Sequence, residues 1–174
     1  NNIQSWYSPG YGFYAVGAGG RLNDSTILGA GVDGIITNVA ASNFRAYRNE
    51  VLYSSAGAPT SGQAITFTGP DNWAINNNVH DNFMEGIDFL DWSIAGLSNP
   101  SQCGALWNRL EDNGRTKPGV SPHAIYNDGG DNVFVYGNVI SGNGLTEDST
   151  SDAGGILIGT EHSANVANNI WFIN

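Results

Sequence analysis

The sequence predicts an all-β solenoid of stacked coils, and three features carry that prediction. A six-residue unit that opens and closes on asparagine occurs at Asn77–Asn82, Asn108–Asn113, Asn138–Asn143 and Asn169–Asn174, with a weaker copy from Asn49 to Ser54. The leading asparagines stand 28 to 31 residues apart, a near-constant period of the kind that marks a repeat architecture. Each repeat also holds a short apolar run that begins Gly/Ala-Ile, and Asn, Gly and Asp turns join the runs without an amphipathic helix between them.

Taken in order, the Gly/Ala-Ile runs are Gly34-Ile35-Ile36-Thr37, Ala64-Ile65-Thr66-Phe67, Gly86-Ile87-Asp88-Phe89, Ala124-Ile125-Tyr126-Asn127 and Gly155-Ile156-Leu157-Ile158. A second column lies two residues after each leading asparagine: Val51, Val79, Leu110, Ile140 and Trp171. A third lies three residues before it: Ala46, Ala74, Ala105, Val135 and Val166. Recurring small or branched apolar residues read as inward sites of stacked parallel strands. An antiparallel sandwich explains short strands but not a fixed period. Stacking brings equivalent side chains to about 4.8 Å, so the asparagines read as a hydrogen-bonded ladder or as left-handed turn residues.

Composition narrows the function. The 174 residues, 40% hydrophobic, suffice for one domain, and the 24 glycines lack a collagen period. Six basic against sixteen acidic residues give a net charge of -10, which repels nucleic acid and anionic membranes and leaves neutral polymers unopposed. A polyanionic substrate would need Ca2+ or a local Arg/Lys cluster beside it. Cys103 is the single cysteine, so an internal disulfide is impossible, and there is no Cys/His zinc pattern and no apolar run long enough to insert into a membrane.

The stretch HAIYNDGGDNVFVYGNVISGNG, His123 to Gly144, is echoed by AITFTGPDNWAINNNVHDN and GGILIGTEHSANVANNIWFIN. On these motifs the chain, from about residue 30 to 174, resembles the right-handed parallel β-helix superfamily of pectate-lyase-like and mannuronan-epimerase-like proteins, with no subgroup assigned. The resemblance implies a right-handed parallel β-helix of about six coils, with long loops on one face, an extracellular or cell-surface location and a polysaccharide partner. It implies no obligatory cofactor, with Ca2+ possible, since pectate-lyase-like enzymes pair acidic Ca2+ ligands with an Arg or Lys base. Of the epimerase-like Asp-Pro-His signature only Asp88 is present, followed by Phe89-Leu90-Asp91. The polygalacturonase-like patterns are absent.

Alternation along the Gly/Ala-Ile strand turns the residue after each isoleucine outward. Asp88, Tyr126 and Asp128 then share one exposed surface, with the backbones of the two aspartates about 8 Å apart. Paired carboxylates divide acid and base roles; Tyr126 and His123 stand beside them as further proton carriers. Asp128 also suits the Asn127-Asp128-Gly129-Gly130 turn. Trp73, Trp92, Phe134, Tyr136 and Tyr47 offer flat faces for sugar rings, and Arg115 and Lys117 offer charge near the groove. Three excursions, Trp92 to Gly104, Gly114 to Ser121 and Gly144 to Gly154, are placed to wall it. His80-Asp81 and Glu161-His162 read as turn pairs, with no metal site among them.

Two functions remain open. One is a secreted polysaccharide hydrolase or lyase; the other is a non-catalytic structural or adhesive solenoid, part of a fibre, spike or surface protein. Residues 1–174 read as a single β-helix domain without polar caps, a segment of a longer solenoid or one that stacks end to end.

Overall fold

The computed structural model describes residues 2–57, 62–91, 100–114, 122–144, 154–159 and 168–173. Among these, eighteen strands, β1 to β18 along the chain, fall into three six-stranded sheets in which all named strand pairs are parallel. Sheet one stacks β1 (Gln4–Trp6), β4 (Thr26–Leu28), β7 (Glu50–Leu52), β10 (Asn78–His80), β13 (Arg109–Glu111) and β16 (Val139–Ser141). Sheet two stacks β2 (Phe13–Ala15), β5 (Ile35–Thr37), β8 (Ile65–Phe67), β11 (Ile87–Leu90), β14 (His123–Asp128) and β17 (Gly154–Gly159). Sheet three stacks β3 (Arg21–Asn23), β6 (Arg45–Tyr47), β9 (Trp73–Ile75), β12 (Gly104–Leu106), β15 (Val133–Tyr136) and β18 (Ile170–Ile173). Three consecutive strands make one coil, and six coils make the parallel β-helix.

The inward columns are those the repeat predicts. Ile35, Ile65, Ile87, Ile125 and Ile156 are register partners down sheet two. Val51, Val79, Leu110 and Ile140 align on sheet one, and Ala46, Ala74, Ala105 and Val135 on sheet three. From Ile35 to Ile125, Val51 to Leu110 and Ala46 to Ala105 these side chains are essentially sealed from water, which supplies the main favourable term of folding.

Short strands need tight corners, and the corners explain the asparagine spacing. A left-handed residue stands between sheets three and one at Asp24, Arg48, Asn76, Trp107 and Gly137, and another leaves sheet one at Tyr7, Gly29, Tyr53, Asp81, Asp112 and Gly142. Immediately after the corners at Arg48, Asn76, Trp107 and Gly137, and after those at Asp81, Asp112 and Gly142, an inward asparagine takes up the backbone polar groups that the bend leaves without strand partners. Asn77 Nδ2 donates to the Ala46 carbonyl at 3.0 Å and to Asn108 Oδ1 at 2.9 Å, and Asn108 repeats the pattern with Ala74 and Asn138. After the second corner Asn82, Asn113 and Asn143 form a parallel ladder. The five-residue spacing is therefore the distance from one corner of sheet one to the other, with a three-residue strand and one left-handed residue between.

The last repeat departs from its expected alignment. Ile170–Ile173 pairs with β15 in sheet three, matching Phe134 with Trp171 and Val135 with Phe172. Trp171 thus leaves the Val51 column, while Val166 and Asn174 lie outside the described residues. The reason is that Asn168 and Asn169 occupy the corner before sheet three. Asn169 has φ 50° and its side-chain amide donates to Asn132, the left-handed residue one coil back. No helix among the described residues is long and apolar enough to cross a membrane.

Candidate functional site

The outward face of sheet two carries a polar row unlike anything on the ladder. Register places Ile36, Thr66, Asp88, Tyr126 and Leu157 in one line across neighbouring strands. A second line enters these strands two residues before the inward isoleucine, at Asp33, Gln63, Glu85 and His123. The two lines fold onto each other. Thr66 Oγ1 donates to Asp33 Oδ1 at 2.5 Å and lies 3.1 Å from Gln63 Oε1, and the Gln63 backbone N–H donates to the same Asp33 oxygen at 2.9 Å. One coil pair further on, the His123 and Tyr126 rings lie 5.6 Å apart.

The expected shared surface is present in register but is not exposed. Asp88 sits opposite Tyr126, and Asp128 opposite Leu90, which is the two-residue offset expected between the aspartates. Yet Asp88 is 1% accessible, Tyr126 7%, Asp128 0% and His123 4%. Alternation along a strand fixes the side to which a residue points, not what lies over it. Here the strand-entry side chains lean across the row: Asp33 and Gln63 close over Thr66, and His123 stands against Tyr126. The Tyr126 hydroxyl reaches over Gly159, where a Cβ would meet it at 2.7 Å. Asp128 ends strand β14 rather than starting a turn, and its carbonyl accepts the Asp91 backbone amide of the preceding coil at 2.8 Å.

Desolvation raises the Asp33 carboxyl above the ordinary carboxylate range, against the opposing hydrogen bond from Thr66. Asp33, Gln63 and Glu85 escaped the reading of the chain, although the signal was present. Each occupies the position just before a Gly/Ala-Ile pair, so aligning those pairs gives Asp, Gln, Glu and His in one column. Among the described residues no three His, Cys, Asp or Glu side chains converge as a metal ion would require.

The proposed aromatic contacts divide into two kinds. Trp73 and Phe134 align on sheet three and stack across Gly104 at 6.1 Å, and Phe134 stacks on Trp171 at 4.4 Å. The Arg45 guanidinium covers Trp73 at 5.8 Å. The ring faces of Trp73 and Phe134 are thus largely taken up within the protein. Tyr136 is exposed and meets the exposed Trp107 edge to face, while Tyr47 lies under Arg48. Trp92, Arg115 and Lys117 lie outside the described residues, as do Glu161 and His162. His80 and Asp81, expected as a mere turn pair, do face each other, with His80 Nδ1 at 2.7 Å from Asp81 Oδ2.

The sequence matches no protein-family profile and no curated protein. Solved structures with a similar fold include the enzymatically active domain of bacteriophage CBA120 tailspike protein 2, at TM-score 0.61 and 11% identity over 86% of this chain. The periplasmic alginate epimerase AlgG aligns at TM-score 0.57 and 13% identity over 97% of the chain, and its T265N T268M double mutant at 0.55 and 14% over the whole chain. The chain spans 21% of the tailspike structure and 43% and 51% of the two epimerase structures. Three stacked parallel sheets and these likenesses together make the chain a right-handed parallel β-helix, with no subgroup assigned.

Proposed function

We propose that this β-helix is a carbohydrate-active domain that acts on a polysaccharide outside the cell, by hydrolysis or elimination, at the outward face of sheet two. The observation that carries the reading is the gathering of Asp88, His123 and Tyr126 on two paired strands, with Glu85 two residues before the first strand, all buried. Burying ionisable side chains costs free energy that a purely structural sheet face has no need to spend. The similar structures include a phage tailspike's enzymatically active domain and an alginate epimerase, which supports a polysaccharide as substrate.

Hydrolysis fits the described residues better than elimination. Once a bound sugar displaces the side chains that now lie over the row, one carboxyl of the Glu85/Asp88 pair gives its proton to the glycosidic oxygen as the bond to the sugar carbon breaks. The other, as carboxylate, draws a proton from the water that adds to that carbon. His123 and Tyr126 orient the sugar and return the proton. Elimination from a uronic acid needs a cation on the substrate carboxylate, and among the described residues the arginines stand on sheets one and three or the corner between them.

The test is turnover of a polysaccharide panel, reading reducing ends for hydrolysis and the absorbance of an unsaturated product for elimination. Asp88→Asn and Glu85→Gln are each expected to lower turnover at least ~100-fold with binding retained. Unchanged turnover in Asp88→Asn removes the assignment. Binding by the parent chain without any turnover establishes instead the non-catalytic adhesive solenoid.

A further inference from the structure

The outward face of sheet one holds a groove of about 480 Å³ between β10 and β13, within the range of ordinary ligand sites. Asn78 pairs with Arg109 and His80 with Glu111 across it, and Asn76 and Trp107 close its end at the corner with sheet three. Its polar side chains are already held in place. Arg109 Nε donates to Glu111 Oε2 at 2.7 Å, and Ser141 Oγ donates to Glu111 Oε1 at 3.0 Å. His80 lies between Asp81 at 2.7 Å and Glu50 at 3.4 Å.

Trp107 is the exposed indole of this face, held edge to face against Tyr136. It adopts φ 54° at a corner where other coils place Asp24, Arg48, Asn76 and Gly137. A bulky side chain at positive φ costs roughly 1 kcal/mol or more, whereas Asn or Gly there costs less. The indole is nevertheless 54% exposed. It lies over Gly137, where a Cβ would come within 2.6 Å of its Cδ1, and it borders the groove on its other side. An exposed flat ring beside fixed donors and acceptors matches a pyranose, which presents an apolar C–H face and a rim of hydroxyls.

We infer that this groove is a carbohydrate-binding subsite for an uncharged sugar unit, on a different face from the candidate chemistry of sheet two and independent of it. The ligand is uncharged because Asp81, Glu111 and Asp112 outnumber Arg109, whose charge is already committed to Glu111. A polyuronate meets repulsion here.

The probes are neutral hexasaccharides from cellulose, mannan, galactan and dextran, with an alginate hexasaccharide as the anionic member, followed by saturation-transfer NMR and calorimetry. At least one neutral probe is expected to bind the parent chain and Asp88→Asn alike. Trp107→Asn, which installs the residue used one coil earlier, is expected to weaken that binding about tenfold and to leave Tm equal or higher. Glu111→Gln weakens it less. Equal binding by Trp107→Asn and the parent overturns the inference. So does binding of the alginate probe alone, loss of binding in Asp88→Asn, or failure of every neutral probe to bind. A Tm several degrees lower in Trp107→Asn also overturns it, by giving the indole a structural role.

Discussion

The corner asparagines of sheet one and the polar row of sheet two are both buried, yet the first keeps one residue from coil to coil and the second changes it at every coil. Asn49, Asn77, Asn108 and Asn138 recur at one corner, the first three amides each closing on the next. Across the same coils the sheet-two face reads Ile36, Thr66, Asp88, Tyr126, with Asp33, Gln63, Glu85 and His123 before them. A solenoid repeats what stacking requires. Polar residues that are buried but not repeated are therefore the ones stacking does not account for, and that contrast separates scaffold from candidate site.

The ladder side breaks most sharply at Asn108. Its Oδ1 accepts from the backbone and side-chain nitrogens of Asn77, and its Nδ2 donates to the Ala74 carbonyl and to Asn138. Asn108→Ala leaves several buried polar groups short of a partner at about 1–3 kcal/mol each, so a loss of at least ~3 kcal/mol is expected. Denaturant midpoints measure it. A loss below ~1 kcal/mol would mean that water replaces the amide and that the ladder is not the element that indexes the coils.

A smaller effect is expected on sheet three, where aromatic stacking replaces amides. Gly104 sits in a strand, where glycine is normally a weak choice, so propensity alone favours alanine. The structure gives the opposite sign. A Cβ there would meet the Trp73 ring at 2.5 Å and the Phe134 carbonyl at 2.9 Å. Gly104→Ala is expected to cost about 1–3 kcal/mol and to reduce the near-ultraviolet dichroism of the Trp73–Phe134 stack. A stabilised variant with unchanged dichroism would show that the ring column adjusts freely.

The same contrast explains what was legible in the chain. Inward columns were readable because Ile35, Ile65, Ile87 and Ile125 repeat an apolar residue at one phase, and their register followed residue by residue. The last repeat misled because asparagine serves two physical tasks. Asn108 is a ladder residue after a corner, whereas Asn169 is the left-handed corner itself. Asp88 and Tyr126 were found because strand alternation turns them off the apolar phase, and His123 because it stands just before the Tyr126 strand. Their burial was not legible, since it depends on side chains such as Asp33 and Gln63 folding over the row from the strand entry. Those residues repeat a position but not an identity, so a search for recurring letters passes over them.

The smallest expected effect tests whether the sheet-two row carries the cost of unrepeated burial. Asp33 is 4% accessible and its carboxyl is raised by desolvation. In acid both the folded and unfolded chains hold its proton, so burial of the charge costs nothing. As pH rises the unfolded chain ionises first, and stability falls until the folded carboxyl has also ionised, after which the loss is complete. Asparagine at position 33 carries no charge, and its Oδ1 still accepts from the Gln63 amide and the Thr66 hydroxyl, the two partners seen here. Glu85, next in the column, is present in both chains and cancels from their difference to first order. The Tm of Asp33→Asn minus that of the parent is therefore expected to grow as pH rises through the ordinary carboxylate range and to level off once the folded carboxyl has ionised. Calorimetry across that window decides it. A difference that stays flat or shrinks would mean that the carboxylate is fully compensated where it lies, and that the row of sheet two is as well satisfied as the ladder of sheet one.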